Sequence, residues 1–202
     1  SIELGNEVCE LEYLKHLQIG AFGLVSLPDD FVKLGDKLES LDLSSNNFED
    51  IPALLTKENF PKLKKLDLLA CRRWTVTDLR KKDSYEDGIG LHFKSSVKQD
   101  NDLRRLLLWE NLEELRLSNN YIEGQIPDFK VGEDGVVAWN NADVEKWGGD
   151  TIKKLAEKEM PKILPKMKRL TLNLNFFTGK LPDWLLYHPY LLDWFPESLI
   201  YM

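Results

Sequence analysis

The sequence is poor in cysteine and has no excess of basic residues. Its 202 residues include two cysteines, Cys9 and Cys71, whose positions match neither a disulfide framework nor a zinc-ligand spacing. The formal net charge of −7 argues against nucleic-acid binding, because phosphate contacts require lysine and arginine gathered on one face. No apolar run reaches the ~18 residues of a membrane-spanning helix. We therefore expect a folded chain that binds no nucleic acid and has no membrane span.

A motif of alternating leucines recurs along the chain. It reads LDLSSNNFEDIP at 41–52, LRLSNNYIEGQIP at 115–127 and LTLNLNFFTGKLP at 170–182. Leu-x-Leu or Leu-x-Ile pairs begin at Leu17, Leu41, Leu66, Leu115 and Leu170, and successive pairs lie 24, 25, 49 and 55 residues apart. The step of 49 residues is divided in half by Leu91 and Phe93, which predicts a degenerate coil there. The last step exceeds one coil and predicts an insertion at 128–165.

A period of 24 or 25 residues predicts a solenoid, since no single repeat of this length can bury its own apolar face. Alternate leucines place two side chains on one face of a short strand, so stacked repeats form a parallel sheet with a leucine interior. The third residue after each pair is predicted to satisfy buried backbone groups where the chain turns inward. These residues are Phe22, Asn46, Cys71, Ser96, Asn120 and Asn175. Cys71 is accordingly interpreted as a buried residue of this ladder rather than a nucleophile.

The segment LEELRLSNNYIEGQIP at 112–127 resembles the leucine-rich-repeat pattern LxxLxLxxNxLxGxIP at every fixed position. The Gly-x-Ile-Pro variant is similar to that of plant receptor ectodomains. The C-terminal stretch NFFTGKLPDWLLYHPYLLDWFPE is closer to secreted or surface leucine-rich-repeat proteins of gut Gram-negative bacteria. The resemblance implies an α/β fold: a right-handed leucine-rich-repeat solenoid (horseshoe) of six to seven coils, with the parallel sheet on its concave face. It also implies one domain over 1–202, part of a longer chain, that is extracellular, non-catalytic and free of cofactors.

The residue between the two leucines of each pair is predicted to point to the concave face. The resulting column contains Gln18, Asp42, Asp67, His92, Arg116 and Thr171, with His92 placed between Asp67 and Arg116. Ser118 and Asn119 are expected to face outward beside it. These varied polar positions favour binding of a protein ligand, although an exposed sheet face must be polar in any case. A catalytic role for His92 beside Asp67 is disfavoured, because no Ser or Cys nucleophile stands at a matching position.

The predicted insertion contains Trp139 and Trp147, which offer a second hypothesis. Tryptophan presents a large contact area with a polar edge, so these residues are candidates for carbohydrate binding or for anchoring a protein ligand. Alternatively, both rings pack the insertion onto the solenoid, or the whole chain is a structural spacer of a surface protein. Acidic clusters at 133–134 and 100–102 lack the spacing of a calcium-binding loop, so no metal site is predicted.

Overall fold

The computed structural model describes residues 3–71, 97–129, 163–186 and 188, and its central element is a five-stranded parallel sheet. The strands pair in the order β1 (His16–Gln18), β2 (Ser40–Asp42), β3 (Lys65–Asp67), β4 (Glu114–Arg116) and β6 (Arg169–Thr171). Two shorter strands, β5 (Glu123–Gly124) and β7 (Phe176–Phe177), form a second parallel pair. Each strand of the large sheet belongs to a different repeat.

The strand register follows the leucine repeat. Leu17 pairs with Leu41, Leu41 with Leu66, Leu66 with Leu115 and Leu115 with Leu170. From the second repeat onward, both leucines of each pair are buried, with exposed fractions of at most 4%. The predicted parallel sheet with a leucine interior is therefore confirmed for these five repeats.

The segments that return from one strand to the next include short helices. Two 3-10 helices span Asn6–Glu10 and Asp29–Leu34, and the α-helices are α1 (Val97–Leu107) and α2 (Asp183–Leu186). In the second 3-10 helix, Phe31 and Leu34 are buried, because a spacing of three residues places both on one side. Helix α1 buries Leu103, Leu106 and Leu107, the spacing of one apolar helical face. The returns thus close the core opposite the sheet.

Asparagine amides tie neighbouring repeats together as predicted. Asn46 Oδ1 accepts hydrogen bonds from the N–H groups of Phe22 (3.2 Å) and Leu24 (3.0 Å). Its Nδ2 donates to the carbonyls of Ile19 (3.0 Å) and Leu43 (2.8 Å). Each amide therefore satisfies backbone groups of its own repeat and of the repeat before it.

The same arrangement holds at Asn120 and Asn175, which are also buried. Cys71 occupies the equivalent position with no exposed surface, and its N–H donates to Asn120 Oδ1 at 2.9 Å. The prediction that Cys71 is a buried ladder residue is confirmed. Phe22 differs, because its side chain is half exposed and does not enter the core at this position.

The degenerate coil predicted between the third and fourth strands is wrong. Strand β3 pairs directly with β4, so that Asp67 is the register partner of Arg116. Two strands that are hydrogen-bonded to each other leave no space for a strand containing His92 between them. The 49 residues that separate these strands belong to one enlarged repeat, and the described sheet has five strands rather than the six or seven expected.

Strand β4 likewise pairs directly with β6, although 55 residues separate Leu115 from Leu170. Most of the insertion predicted at 128–165 lies outside the described residues. Its bounds, the right-handed sense of the solenoid and the single domain over 1–202 stay predictions.

Candidate ligand-binding surface

The polar face of the sheet lines a shallow concavity of about 560 Å³. Its middle column contains five of the six residues expected there: Gln18, Asp42, Asp67, Arg116 and Thr171. A second column runs beside it and contains His16, Ser40, Lys65, Glu114 and Arg169. The position of these side chains on one face is confirmed, whereas their role in binding stays a prediction. We call the two columns together the concave face.

An ion pair lies at the centre of this face. Arg116 Nη1 is 2.7 Å from Asp67 Oδ2, across the direct pairing of β3 with β4. The other carboxylate oxygen of Asp67 accepts a hydrogen bond from the Leu69 N–H at 2.9 Å. The Asp67 side chain is 20% exposed and that of Arg116 is 44% exposed. Asp67 therefore fixes the guanidinium in place while nearly half of it stays accessible to a ligand.

The preceding repeat uses the same bond to orient its carboxylate. Asp42 Oδ1 accepts a hydrogen bond from the Ser44 N–H at 2.8 Å, two residues along the chain. An aspartate that bonds its own backbone in this way loses much of its rotational freedom before any ligand arrives. Asp42 and Asp67 therefore present fixed negative groups on adjacent strands.

Looser ion pairs and one hydrogen bond connect the second column. Glu114 lies between Lys65 and Arg169, at 3.9 Å and 4.0 Å respectively. Toward the N-terminal edge, His16 Nδ1 and Ser40 Oγ are 2.6 Å apart and share a hydrogen bond. Three basic residues (Lys65, Arg116, Arg169) thus oppose three acidic ones (Asp42, Asp67, Glu114) on a face that is locally near neutral, although the chain carries −7.

Further ion pairs, which the sequence interpretation missed, lie where the strands begin. Lys64 is 3.9 Å from Glu39, and Lys168 is 3.4 Å from Glu113. Each of these residues stands two positions before the first leucine of its pair, and the charge alternates from repeat to repeat. Opposite charges on neighbouring strands support the observed register. The alternation of sign at the repeat period was a usable signal in the sequence.

Ser118 does not face outward as predicted. It is only 5% exposed, and its hydroxyl donates to Asn173 Oδ1 at 2.5 Å in the next repeat. Asn119 is exposed as expected, with a left-handed backbone at φ 57°. Ser118 is therefore a bridge between repeats, and Asn119 keeps its place as a candidate contact.

Three candidate residues fall outside the part of the chain that the structure describes: His92, Trp139 and Trp147. The carbohydrate-binding hypothesis based on the two tryptophans stays a prediction. Within the described ranges, no three His, Cys, Asp or Glu side chains cluster as metal ligands would. None of the helices described there combines the length and apolar character needed to cross a membrane.

Comparison with known proteins agrees with this geometry. A family model described as leucine-rich repeats (2 copies) matches residues 36–81, and a single leucine-rich-repeat model matches residues 111–129. Among solved structures, a leucine-rich-repeat protein of Leptospira interrogans is similar, with a TM-score of 0.50 and 19% sequence identity. That similarity covers 94% of this chain, whereas the chain spans only 38% of the other protein. No curated protein matches the sequence.

The stacked strands, the asparagine ladder and the aligned leucines define an α/β solenoid of the repeat class. Together with the matched segments, they identify the chain as a leucine-rich-repeat protein. Such domains generally mediate contacts with other proteins and are typically not enzymes.

Proposed function

We propose that this chain is an extracellular, non-catalytic recognition module and that its concave face binds a protein ligand. The observation that carries the proposal is the Arg116–Asp67 pair, which is fixed at the centre of the face yet accessible. A binding group that is already held in place loses less conformational freedom on association, so more of its interaction energy appears as affinity.

The character of the concavity favours a protein over a small molecule. Small-molecule sites are usually enclosed and predominantly apolar. Here the concavity lies open across the strands of the sheet and is lined mainly by charged and polar side chains of both signs. Such a surface complements a ligand that carries basic and acidic groups at matching positions, which gives specificity more than raw affinity.

The experiment begins with a display library of random linear peptides selected on the wild-type chain. The dissociation constants of the enriched peptides are then measured for the wild type and for Arg116→Ala. We expect Arg116→Ala to weaken binding at least about tenfold, because the central guanidinium is lost. It should lower Tm by less than about 2 °C, since a partly exposed ion pair contributes little to folding.

A matched control is Arg104→Ala on helix α1, since Arg104 pairs with Asp100 at 2.8 Å away from the concave face. Loss of affinity in both variants would contradict a specific role for the concave face, as would unchanged affinity in Arg116→Ala. A library from which no binding peptide is enriched would also contradict the proposal.

The extracellular location is supported only by the likeness of the C-terminal motif to secreted or surface proteins. Digestion of intact producing cells with proteinase K, followed by immunoblotting, tests it. Loss of the cell-associated protein without lysis, or its recovery from the medium, is the expected result. Full protection inside intact cells would contradict this part of the proposal.

A further inference from the structure

The second residue after each Leu-x-Leu or Leu-x-Ile pair has a left-handed backbone in all five repeats of the sheet. Their φ angles lie between 50° and 58°, at Ala21, Ser45, Ala70, Asn119 and Leu174. In the first four, the N–H donates to a carbonyl of the next repeat at 2.8–3.1 Å. Because the same bond recurs from repeat to repeat, the fold imposes this conformation whatever residue occupies the position.

Leu174 suits this conformation poorly. A left-handed φ brings Cβ close to the following carbonyl oxygen, and asparagine tolerates this better than bulky side chains do. The first four repeats place alanine, serine, alanine and asparagine here, and only the fifth places a large apolar residue. Tyr121 shows the same feature two residues further along its repeat, with φ 55°, where the first repeat has Gly23 with φ 69°.

These unfavourable positions coincide with an exposed apolar area. Leu174 is 49% exposed and Phe176 is 40% exposed, and the rings of Tyr121 and Phe176 stack with centroids 6.2 Å apart. We call Tyr121, Leu174 and Phe176 the Leu174 patch. Burial in the folded chain does not offset the backbone conformation of Leu174, because half of its surface faces solvent.

Exposure of Leu174 is a property of its position in the repeat, not of its place in the last described repeat. Ser45 and Asn119 occupy the same position in repeats that have neighbours on both sides, and both are exposed. A further repeat stacked against β6 would therefore leave Leu174 accessible. The side chain is directed away from the stacking direction in every repeat where the comparison is available.

The Leu174 patch is continuous with the concave face. Thr171 of the middle column and Asn173 alternate along one chain segment, and Asn173 accepts the hydroxyl hydrogen bond of Ser118. The backbones are held together by Asn119 N–H to Asn173 O at 3.1 Å and Phe176 N–H to Ile122 O at 2.7 Å. The patch has an apolar centre beside the uncharged polar residues Asn119 and Asn173, an arrangement typical of anchor sites in protein interfaces.

We infer that the Leu174 patch receives an aliphatic or aromatic side chain of the protein ligand that lies along the concave face. The inference rests on the proposed function and adds to it the chemistry of one contact. The polar concave face sets the position of the ligand, and the patch supplies an apolar anchor at the C-terminal ends of β4 and β6.

The first test concerns folding alone and needs no ligand. Leu174→Asn replaces the leucine by the residue found at position 119 and should raise Tm by about 2 °C, because the backbone conformation becomes easier to adopt. The reciprocal change Ser45→Leu, at the same position of an internal repeat, should lower Tm by a similar amount. A lower Tm for Leu174→Asn would show that Leu174 is needed for packing and would overturn the inference.

The second test uses the peptides enriched on the wild-type chain by the library selection. Their affinity should fall at least about tenfold in Leu174→Asn, since an interface anchor is lost. The matched control is Leu11→Asn, because Leu11 is 50% exposed but lies in the N-terminal part of the chain. Loss of affinity in Leu174→Asn but not in Leu11→Asn supports the inference.

Other outcomes overturn it. If Arg116→Ala weakens binding and Leu174→Asn does not, the patch is no anchor, although the concave face still binds. If Leu11→Asn weakens binding as much as Leu174→Asn, the effect is not specific to the patch. If neither Arg116→Ala nor Leu174→Asn changes the affinity, both the inference and the proposed function are wrong.

Discussion

The amides of the asparagine ladder are the residues whose loss should damage the fold most for their size. Asn120 is 1% exposed, accepts a hydrogen bond from the Cys71 N–H, and donates to the carbonyls of Leu68 and Leu117. Asn120→Ala removes partners from three buried backbone groups, each costing about 1–3 kcal/mol, so we expect a loss of about 3 kcal/mol or more. Urea denaturation measures the change.

The neighbouring Asn119 provides a control of the same residue type. It is exposed, and Ala21 and Ala70 adopt the same left-handed conformation in other repeats. Asn119→Ala should therefore change the free energy of unfolding by about 0.5 kcal/mol or less. Equal effects of the two substitutions would contradict the ladder.

His188 should make stability depend on pH near neutrality. Burial lowers the pKa of its imidazole, and Nε2 bonds the carbonyls of Ile163 (3.2 Å) and Leu164 (2.9 Å). As pH falls below about 6.5, the unfolded chain binds a proton at His188 before the folded chain does, so stability decreases. Above that pH the stabilising contribution is complete.

We expect Tm to fall between pH 7.5 and pH 5.5, and to fall less in His188→Gln than in the wild type. Calorimetry at several pH values measures both curves. Most carboxylates titrate below this range, which limits their contribution to the difference. Identical slopes for the two proteins would rule out His188 as the source.

At the scale of the strands, direct pairing of β3 with β4 predicts an energetic coupling between Asp67 and Arg116. A double-mutant cycle with Asp67→Ala and Arg116→Ala should give about 0.5–1 kcal/mol, the range of partly exposed ion pairs. With an intervening strand, the two residues would be about 10 Å apart, and salt would screen most of the interaction. A coupling energy indistinguishable from zero would restore the coil that contains His92.

The sequence predicted the strands well, because the leucine period reflects a packing requirement that every repeat must meet. It failed at Leu91 and Phe93, which fall at the right spacing by coincidence. Spacing alone does not specify which strands bond to each other. Ser118 was misassigned for a related reason: its burial depends on Asn173, which is 55 residues away in the sequence.

For the molecule as a whole, the sequence also predicted that Gln18, Asp42, Asp67, Arg116 and Thr171 share one face. That follows from the period of two in each strand combined with the period of the repeat. The Leu174 patch was not foreseen, since a left-handed backbone becomes visible only when equivalent residues of several repeats are compared in three dimensions. The predicted site therefore lacked its apolar part.

The measurement that tests the central claim most directly is photocrosslinking of a library-selected peptide to the concave face. A benzophenone amino acid replaces either Lys65, on the concave face, or Lys62, which is exposed in the turn just before β3. The two positions are three residues apart and carry the same native side chain. Crosslinking of the peptide from position 65 and not from position 62 is the predicted result, and crosslinking from position 62 alone would contradict the account.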